Sequence, residues 1–562
     1  MSWFRTTSVP GSPAPVALSR RGLLAGTGVS ALALALAACG ANSGSSSPAT
    51  ASAGGTLYIL TSSTDINWDP AKSQSMPVTS LALVHRRLTT WNLRQGQEVE
   101  VVPDLATDTG TVSEDGLSWT YTLRDGLVNE NGDPITSAQV KYGVERSFAD
   151  SLAGGLTYHK ALLADTDGYT GPYDGAHLDS IETPDEKTIV FHLRQAFGDW
   201  PWIVAQPTFA PVPEGEDPTT YARQPVASGP YKVSEYKQGV SVTLVRNENW
   251  SKDTDEVRLA LPDSIVFTLG QDESVANQRL IADSGDDRDA IGADLVSAAQ
   301  LAQVAANTAA KERLATAPDG GPLQYLAINT ERVTDLDVRK AIAYAVDKSA
   351  VVAALGGELG AAVATTYVTP GIPGREEYDL YPTDLASAAS LLAGKDLGDL
   401  VLLVQNSTAP QAIAEAVQQS LTDAGFTVTI DPVEADTWTE RATQGDGSSY
   451  DLAIASWNPD YPSANANIQP LFASSEIGSG GYNISRYSDA EVDAAIEQAA
   501  ANLDTEAAAA QWAALDKQIA EDVPVVPLAY RRNSFLHGSG VADFFVNSYP
   551  SYPNYLVLGV QG

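Results

Sequence analysis

The chain contains few of the residue combinations that could perform catalysis. Its five histidines are scattered, and none forms the His-Glu-x-x-His pattern of a zinc hydrolase. Because there is a single cysteine, Cys39, thiolate zinc sites and thiol catalysis are not expected. The sequence also lacks a Gly-x-Ser-x-Gly elbow, a phosphate-binding loop and a dinucleotide-binding glycine pattern. It therefore predicts a protein with no metal site and no cofactor, which is not an enzyme.

A short loop rich in recognition groups is the leading candidate for a ligand site. It spans residues 457–462 and follows a strand predicted at 450–456. Its aromatic rings, amide and carboxylate can contact a ligand, and its two prolines stiffen the backbone. In open α/β sheets, ligands bind beyond the carboxyl ends of the strands, which is where this loop begins. The predicted ligand-binding residues are Trp457, Asn458, Asp460 and Tyr461.

The single cysteine lies at a predicted export junction. Arg20 and Arg21 precede an apolar stretch of about fifteen residues, followed by small residues, which is typical of a signal peptide. The stretch is too short to span a bilayer, which needs roughly 20 residues. The segment Leu36–Cys39 resembles the lipobox of bacterial lipoproteins, and the paired arginines resemble a twin-arginine signal. The alternatives are a general secretory signal and an incidental cysteine.

This junction predicts where the protein resides. Residues 1–38 would be removed on export, and a lipid on Cys39 would anchor the chain to the outer face of the cytoplasmic membrane. Residues 39–55 are rich in Gly, Ser and Ala, which predicts a flexible tether. No later segment offers 18 consecutive apolar residues, so the lipid is the only membrane attachment that the sequence predicts.

The charge of the chain excludes one class of partner. The formal net charge is −36 over 562 residues, and the acidic residues are scattered along the sequence. Such a surface repels nucleic acids and anionic lipid headgroups, so neither is an expected partner. The chain is long enough to bury a large core without disulfides, and its length predicts two or more lobes.

The first half of the chain shows strand and helix patterns. Residues 56–60 read as a short strand at the start of the ordered chain. Residues 117–124 alternate apolar and polar side chains, which predicts a half-buried strand. Thr136 and Gln139 have the spacing of a capping box, so a helix is expected to begin there.

The second half predicts alternating strands and helices. Asp337 is expected to cap a helix that follows a strand at 323–328. A strand, a helix and a strand in succession indicate parallel strands joined by a crossover. These three elements are predicted at 400–404, 409–424 and 426–430, ahead of the strand at 450–456.

Four separated segments also share a pattern with one protein family. They are Trp119–Gly126 with Asn131–Ser137, Ala227–Lys232 with Arg246–Trp250, Asn329–Thr330 with Asp337–Asp347, and Tyr450–Asp460. The segments run in family order, and the likeness extends from about residue 56 to the end of the chain. They resemble the family 5 extracellular solute-binding proteins, which are the oligopeptide, dipeptide and nickel receptors of ATP-driven importers.

The resemblance implies an α/β fold of the periplasmic-binding-protein type (type II), with two lobes that close on a ligand like a flytrap. A further subdomain would be inserted in lobe one. The implied ranges are 56–95, 206–315 and 521–562 for lobe one, 96–205 for the inserted subdomain, and 316–520 for lobe two.

The resemblance also implies a role for the candidate loop. In peptide-binding members, an aspartate three residues after a tryptophan holds the α-ammonium group of the peptide, and Trp457 and Asp460 match this pair. The other interpretations are that Asp460 caps the following turn and that Trp457 belongs to the lobe core. Some members carry an arginine for the peptide carboxylate in the preceding strand, where this chain has Ile454.

The function expected from these patterns is a monomeric, lipid-anchored receptor of an ABC importer. It would capture small peptides or peptide-like solutes between its lobes and deliver them to the permease subunits. The same receptor role for an oligosaccharide or a metal chelate is an alternative. A secreted hydrolase is a remote alternative, since 70 acidic residues make some carboxylate pair inevitable in three dimensions.

Overall fold

The computed structural model describes residues 51–73, 78–395 and 397–561. The predicted signal peptide, Cys39 and residues 39–50 of the predicted tether lie outside the described residues. In the part of the chain that is described, no helix combines the length and the apolar character needed to cross a membrane.

A five-stranded sheet, here called the first sheet, is built mainly from the first half of the chain. The predicted strand at 56–60 is confirmed and lies between two parallel neighbours, while the other pairs are antiparallel. Alternate side chains such as Leu57, Ile59 and Phe267 are buried in one hydrophobic cluster. In spatial order the strands are Ala290–Gly292, Thr56–Leu60, Ser264–Thr268, Ser241–Arg246 and Tyr231–Lys237.

A six-stranded mixed sheet, the second sheet, carries the candidate loop. The predicted crossover is confirmed, because Asp399–Gln405 and Thr427–Val433 pair in parallel with the helix Thr408–Asp423 between them in sequence. The strand before the loop, Leu452–Trp457, lies near the middle of the sheet. In spatial order the strands are Ala361–Val363, Val525–Arg531, Leu323–Ile328, Leu452–Trp457, Asp399–Gln405 and Thr427–Val433.

A four-stranded antiparallel sheet, the third sheet, lies within residues 111–192. Trp119 and Tyr121 point into the core from the predicted alternating strand, as the pattern requires. The predicted capping box is confirmed: the N–H of Thr136 donates to Oε1 of Gln139 at 3.4 Å. In spatial order the strands are Thr111–Val112, Ser118–Thr122, Thr188–His192 and Ile181–Glu182.

Helices and short strand pairs complete the described chain. The two-stranded sheets are Thr89–Asn92 with Glu100–Pro103, Leu314–Thr316 with Ser534–Leu536, and Val541–Ala542 with Gly559–Val560. The other α-helices are Val78–Leu81, Ser137–Arg146, Tyr158–Leu162, Trp200–Ile203, Glu273–Ala282, Ala298–Ala306, Thr308–Lys311, Leu336–Ala345, Lys348–Ala354, Leu385–Leu392, Ala435–Thr439, Asn465–Phe472, Ala490–Ala500 and Thr505–Asp522.

Two details differ from the sequence-based expectations. The helix expected at Asp337 begins two residues earlier, since Asp335 accepts a hydrogen bond from the N–H of Asp337 and is the capping residue. In addition, residues 521–562 do not lie wholly with the first sheet. Val525–Arg531 pairs with Leu323–Ile328 in the second sheet, where its apolar side chains are buried on both faces.

A continuous hydrophobic cluster connects the third sheet with the second. It contains Phe191 and Trp200 on one side and Tyr325, Trp457 and Tyr461 on the other. The packing therefore brings residues near 160 and residues near 460 to the same place, although about 300 positions separate them in the sequence.

Candidate functional site

A cavity of about 570 Å³ opens where the strand Leu452–Trp457 ends. One wall comes from the Tyr158–Leu162 helix and the other from residues 456–482. All four predicted ligand-binding residues line it. The complete lining is Leu156, Thr157, Tyr158, Ala161, Leu162, Phe197, Ser456, Trp457, Asn458, Asp460, Tyr461, Asn465, Gln469, Pro470, Glu476, Gly480 and Tyr482.

Trp457 is fixed in the wall by its own hydrogen bond. Its Nε1 donates to the carbonyl oxygen of Ala466 at 2.7 Å, and its ring lies 5.1 Å from the ring of Tyr482 at a tilt of 58°. With 9% of its surface exposed, Trp457 both joins the hydrophobic core and borders the cavity. The two interpretations of this residue, ligand contact and lobe core, are therefore compatible.

Asp460 presents a sheltered carboxylate that accepts one side-chain hydrogen bond from the described residues. The hydroxyl of Tyr158 donates to Oδ2 of Asp460 at 2.7 Å. Burial raises the pKa of Asp460, and the hydrogen bond from Tyr158 offsets part of that rise. None of the ion pairs among the described residues includes Asp460, so no cation from the described part of the chain neutralises this carboxylate.

Tyr461 and Asn458 play different parts in the wall. Tyr461 is completely buried, packs edge-on against Tyr158 with 5.4 Å between ring centroids, and donates to Oδ1 of Asn465 at 3.2 Å. It therefore positions Tyr158 and Asn465, the two residues that it contacts. Asn458 is half-buried, and its side chain makes no hydrogen bond to a described residue, which leaves its amide free for a ligand.

Several lining residues were not predicted from the sequence. Tyr158 lies about 300 positions before the loop, Glu476 and Tyr482 follow it in the chain, and no local pattern marks any of the three. Asn465 lies only a few positions after Asp460, but its residue type alone does not mark it as a lining residue. Ile454 is buried in the cluster behind the second sheet, on the face away from Trp457, and does not line the cavity.

A second carboxylate, that of Asp199, bonds Ser463, the residue directly after the candidate loop. The hydroxyl of Ser463 donates to Oδ2 of Asp199 at 2.5 Å. Burial raises the pKa of Asp199 to about 6, although the hydrogen bond from Ser463 acts in the opposite direction. Tyr158 and Asp199 thus each make one hydrogen bond to the segment 460–463, Tyr158 to Asp460 and Asp199 to Ser463.

Within the described ranges there is no cluster of three or more His, Cys, Asp or Glu side chains that could hold a metal ion. Two of the five histidines are completely buried structural residues. His85 bonds the carbonyl oxygen of Trp68 at 2.9 Å, and His159 bonds the hydroxyl of Ser147 at 2.8 Å. Burial lowers the pKa of His85 to about 4 and that of His159 to about 3, so both are neutral near pH 7.

Comparisons with known proteins place the chain in one family. Residues 100–479 match the model of the bacterial extracellular solute-binding proteins, family 5. A solved structure described as clavulanic acid biosynthesis oligopeptide binding protein 2 is 30% identical, with a TM-score of 0.85 over 92% of this chain and 97% of that chain. The murein tripeptide binding protein MppA of Escherichia coli, 21% identical, has a TM-score of 0.68 over 92% of this chain and 100% of that chain.

A curated relative gives the same result from sequence alone. The probable D,D-dipeptide-binding periplasmic protein DdpA of Escherichia coli is 24% identical over 464 residues, which are 80% of this chain and 83% of the relative. The resemblance drawn from the four sequence segments is thus confirmed, as is the two-lobed α/β fold that it implies. The chain belongs to the bacterial extracellular solute-binding proteins of family 5, which bind solutes as receptors.

Proposed function

We propose that this protein is the substrate-binding receptor of an ABC importer, that it captures peptides or peptide-like solutes between its lobes, and that it delivers them to the permease without catalysing a reaction. Matched relatives are described as binding proteins for D,D-dipeptides, for glutathione and for di- and tripeptides. Their names give the class of ligand, and the cavity at Asp460 gives the means of recognition.

The sheltered carboxylate of Asp460 carries the proposal. A partly buried carboxylate without a cation costs free energy, because its lost hydration is not replaced. The α-ammonium group of a peptide would supply the missing charge and three N–H donors, in a site where water is scarce and charged hydrogen bonds are strong. Tyr158 already donates to Oδ2, so the ammonium group would approach the remaining acceptor positions of the carboxylate.

The other predicted residues support the same arrangement. Trp457 would contact the first residue of the ligand as a rigid aromatic wall, and the amide of Asn458 would bond its backbone. The buried Tyr461 would hold Tyr158 and Asn465 in place around the ligand. Since Ile454 faces the core behind the sheet, no residue at that position would hold the peptide carboxylate. Recognition would therefore be concentrated at the amino end of the peptide.

A calorimetric cycle tests the contact. The peptide Ala-Arg-Ala, with a free or an acetylated amino group, is titrated into the wild type and into Asp460→Asn. Removing one member of a sheltered charged pair costs about 2–5 kcal/mol, so Asp460→Asn weakens binding of the free peptide roughly 30-fold to several thousandfold. Acetylation weakens binding to the wild type comparably and has little further effect on the variant.

The matched control is Asp399→Asn, which makes the same charge change at an exposed residue of the same sheet. It should bind both peptides like the wild type. Additive losses from acetylation and from Asp460→Asn would show that the carboxylate does not touch the amine. If no peptide binds the wild type, peptide capture itself is wrong.

The strand pairing supports a division into two lobes. We propose that lobe one comprises 56–95, 206–315 and the residues after 531, with 96–205 inserted, and that lobe two comprises 316–531. Relative to the ranges first implied, residues 521–531 move to lobe two because Val525–Arg531 belongs to the second sheet. The short pair Leu314–Thr316 and Ser534–Leu536 then lies at both crossings, where a hinge would be.

We also propose that Cys39 carries the lipid anchor and that the receptor works as a monomer on the outer face of the cytoplasmic membrane, next to its permease. The lipobox-like junction after residue 38 supports this location. In cell fractionation, Cys39→Ser should release the protein into the medium or leave it as precursor, because the lipid attachment point is gone. Recovery of the variant with membranes at the wild-type level would disprove the anchor.

A further inference from the structure

The charged side chains that line the cavity all have the same sign. Of the described residues that line it, only Asp460 and Glu476 carry charge, and both are acidic. A zwitterionic peptide brings one ammonium and one carboxylate, so it would satisfy one wall charge and add a negative charge beside the other. A ligand with two cationic groups would match both carboxylates.

The backbone of Glu476 is fixed, while its carboxylate is not engaged. Its N–H donates to the carbonyl oxygen of Ala473 at 3.0 Å, and its own carbonyl oxygen accepts from the N–H of Asn483 at 3.2 Å. Gly481 lies so close that an added Cβ would be 2.3 Å from that carbonyl oxygen. In contrast, the side chain makes no hydrogen bond or ion pair with any described residue, and burial alone raises the pKa of Glu476.

A second observation independently indicates a ligand at this place. Asn465 lines the cavity with only 2% of its surface exposed, and its Nδ2 has no hydrogen-bond partner among the described residues. A buried amide donor without an acceptor is costly in a folded protein. A carbonyl group of a bound ligand would supply that acceptor.

The aromatic walls favour the same class of ligand. The rings of Tyr158, Trp457 and Tyr482 border the space that contains the two carboxylates. Aromatic faces attract ammonium and guanidinium groups, most strongly where water is excluded. Cation acceptors, aromatic faces and one amide donor are thus combined in a single cavity.

We propose that the ligand is basic, with two positive groups separated by a carbonyl-containing chain, and that Glu476 binds the second cation. The inference rests on the proposed function, in which Asp460 takes the α-ammonium group. It adds the substrate class: peptides that carry an arginine or lysine side chain near the amino end, in preference to neutral or acidic peptides.

Calorimetry with isosteric peptides tests this directly. Ala-Arg-Ala and its citrulline analogue have the same shape and differ in the charge of one side chain. A set with the arginine or citrulline at the first, second or third position is titrated into the wild type, Glu476→Gln and Glu415→Gln. Glu415→Gln is the control, because it makes the same charge change on an exposed side of the helix Thr408–Asp423.

Charged hydrogen bonds set the expected size of the effect. At one or more positions, the arginine peptide should bind the wild type about 10- to 100-fold more tightly than its citrulline analogue. Glu476→Gln should remove most of that preference. Its affinity for the citrulline peptides should stay within about twofold of the wild-type affinity. Glu415→Gln should retain it. Equal binding of arginine and citrulline peptides at every position, or a preference unchanged in Glu476→Gln, overturns the proposal.

A non-peptide probe separates this proposal from the peptide function. Agmatine carries a guanidinium and an ammonium group, and n-butylamine carries a single ammonium group. Agmatine should bind more tightly than n-butylamine to the wild type, and the difference should shrink in Glu476→Gln. If peptides fail but this difference is found, the cation site stands and peptide capture does not. Equal affinity for the two amines counts against the cation site even if peptides bind.

Discussion

Two groups of sheltered carboxylates in this protein have opposite surroundings. Near the first sheet, Asp104 and Asp255 are completely buried and bound by the guanidinium groups of Arg86 and Arg258. In the cavity beside the second sheet, Asp460 and Glu476 have no cationic partner among the described residues. The same type of side chain is neutralised in one region and left uncompensated in the other.

The contrast separates a structural role from a binding role. Arg86 Nε lies 2.7 Å from Asp104 Oδ1, and Arg258 bonds Asp104 at 2.8 Å and Asp255 at 3.0 Å, so the charges in this ion cluster satisfy each other. An unpaired carboxylate offers the folded chain no such gain. It can be tolerated at a site where a ligand brings the opposite charge, because the contact with the ligand then offsets the free-energy cost of the lost hydration.

The largest effect is expected from breaking the ion cluster. Asp104→Asn keeps the shape of the side chain but leaves two buried guanidinium groups short of one negative charge. Such a loss costs about 3–5 kcal/mol, measurable as a shift in the denaturation midpoint at pH 7. Asp263→Asn, which removes an exposed partner of Arg246, should change stability by no more than about 1 kcal/mol. Equal effects of the two variants would contradict the structural role of the cluster.

A smaller, pH-dependent effect is expected at Asp199, whose side chain is hydrogen-bonded by a single side chain of the described chain, that of Ser463. Its pKa of about 6 exceeds the value of about 3.9 in an unfolded chain, so the folded state binds more protons between these values. The contribution of Asp199 to stability therefore increases as the pH falls through 6 towards 4. From pH 7 to pH 5 the wild type should gain on the order of 1 kcal/mol relative to Asp199→Asn.

Unfolding curves of the wild type and Asp199→Asn at pH 7 and pH 5 measure this difference, and other titrating groups cancel in the comparison. The contribution of the ion cluster to stability changes with pH in the opposite direction. Burial alone would raise the pKa of Asp255, but Arg258 and Arg86 lower it well below its usual range. Its contribution is complete at neutral pH and is lost only below about pH 4. A wild type that loses stability relative to Asp199→Asn between pH 7 and pH 5 would refute the raised pKa of Asp199.

The smallest effect on stability is expected for Asp460→Asn, the variant with the largest expected effect on peptide binding. Asp460→Asn should leave the free energy of unfolding within about 0.5 kcal/mol of the wild type, or raise it, because burial already penalises the charged form. Denaturant unfolding in the absence of peptide measures this. A loss of about 1 kcal/mol or more would show that Asp460 is a structural residue, since removing a capping side chain costs about that much.

Much of the local structure was predictable, since it depends on neighbours in sequence. The alternation in residues 117–124, the capping box at Thr136 and the crossover through residues 399–433 are set by side chains a few positions apart. Likewise, the loop 457–462 could be placed at a strand end from local pattern alone. The helix predicted at Asp337 began at the neighbouring Asp335 cap, because two aspartates there compete for one role.

The composition of the cavity depended on the tertiary structure. The sequence by itself indicated the family through four separated segments and predicted the candidate loop with its four ligand-binding residues, because each of these patterns is local and its chemistry is visible in the residue types. It could not show that Tyr158 would donate to Asp460, that Glu476 would face the same space, or that Ile454 would point away. Those contacts join residues up to about 300 positions apart. They arise from the packing of separate sheets, which no local periodicity encodes.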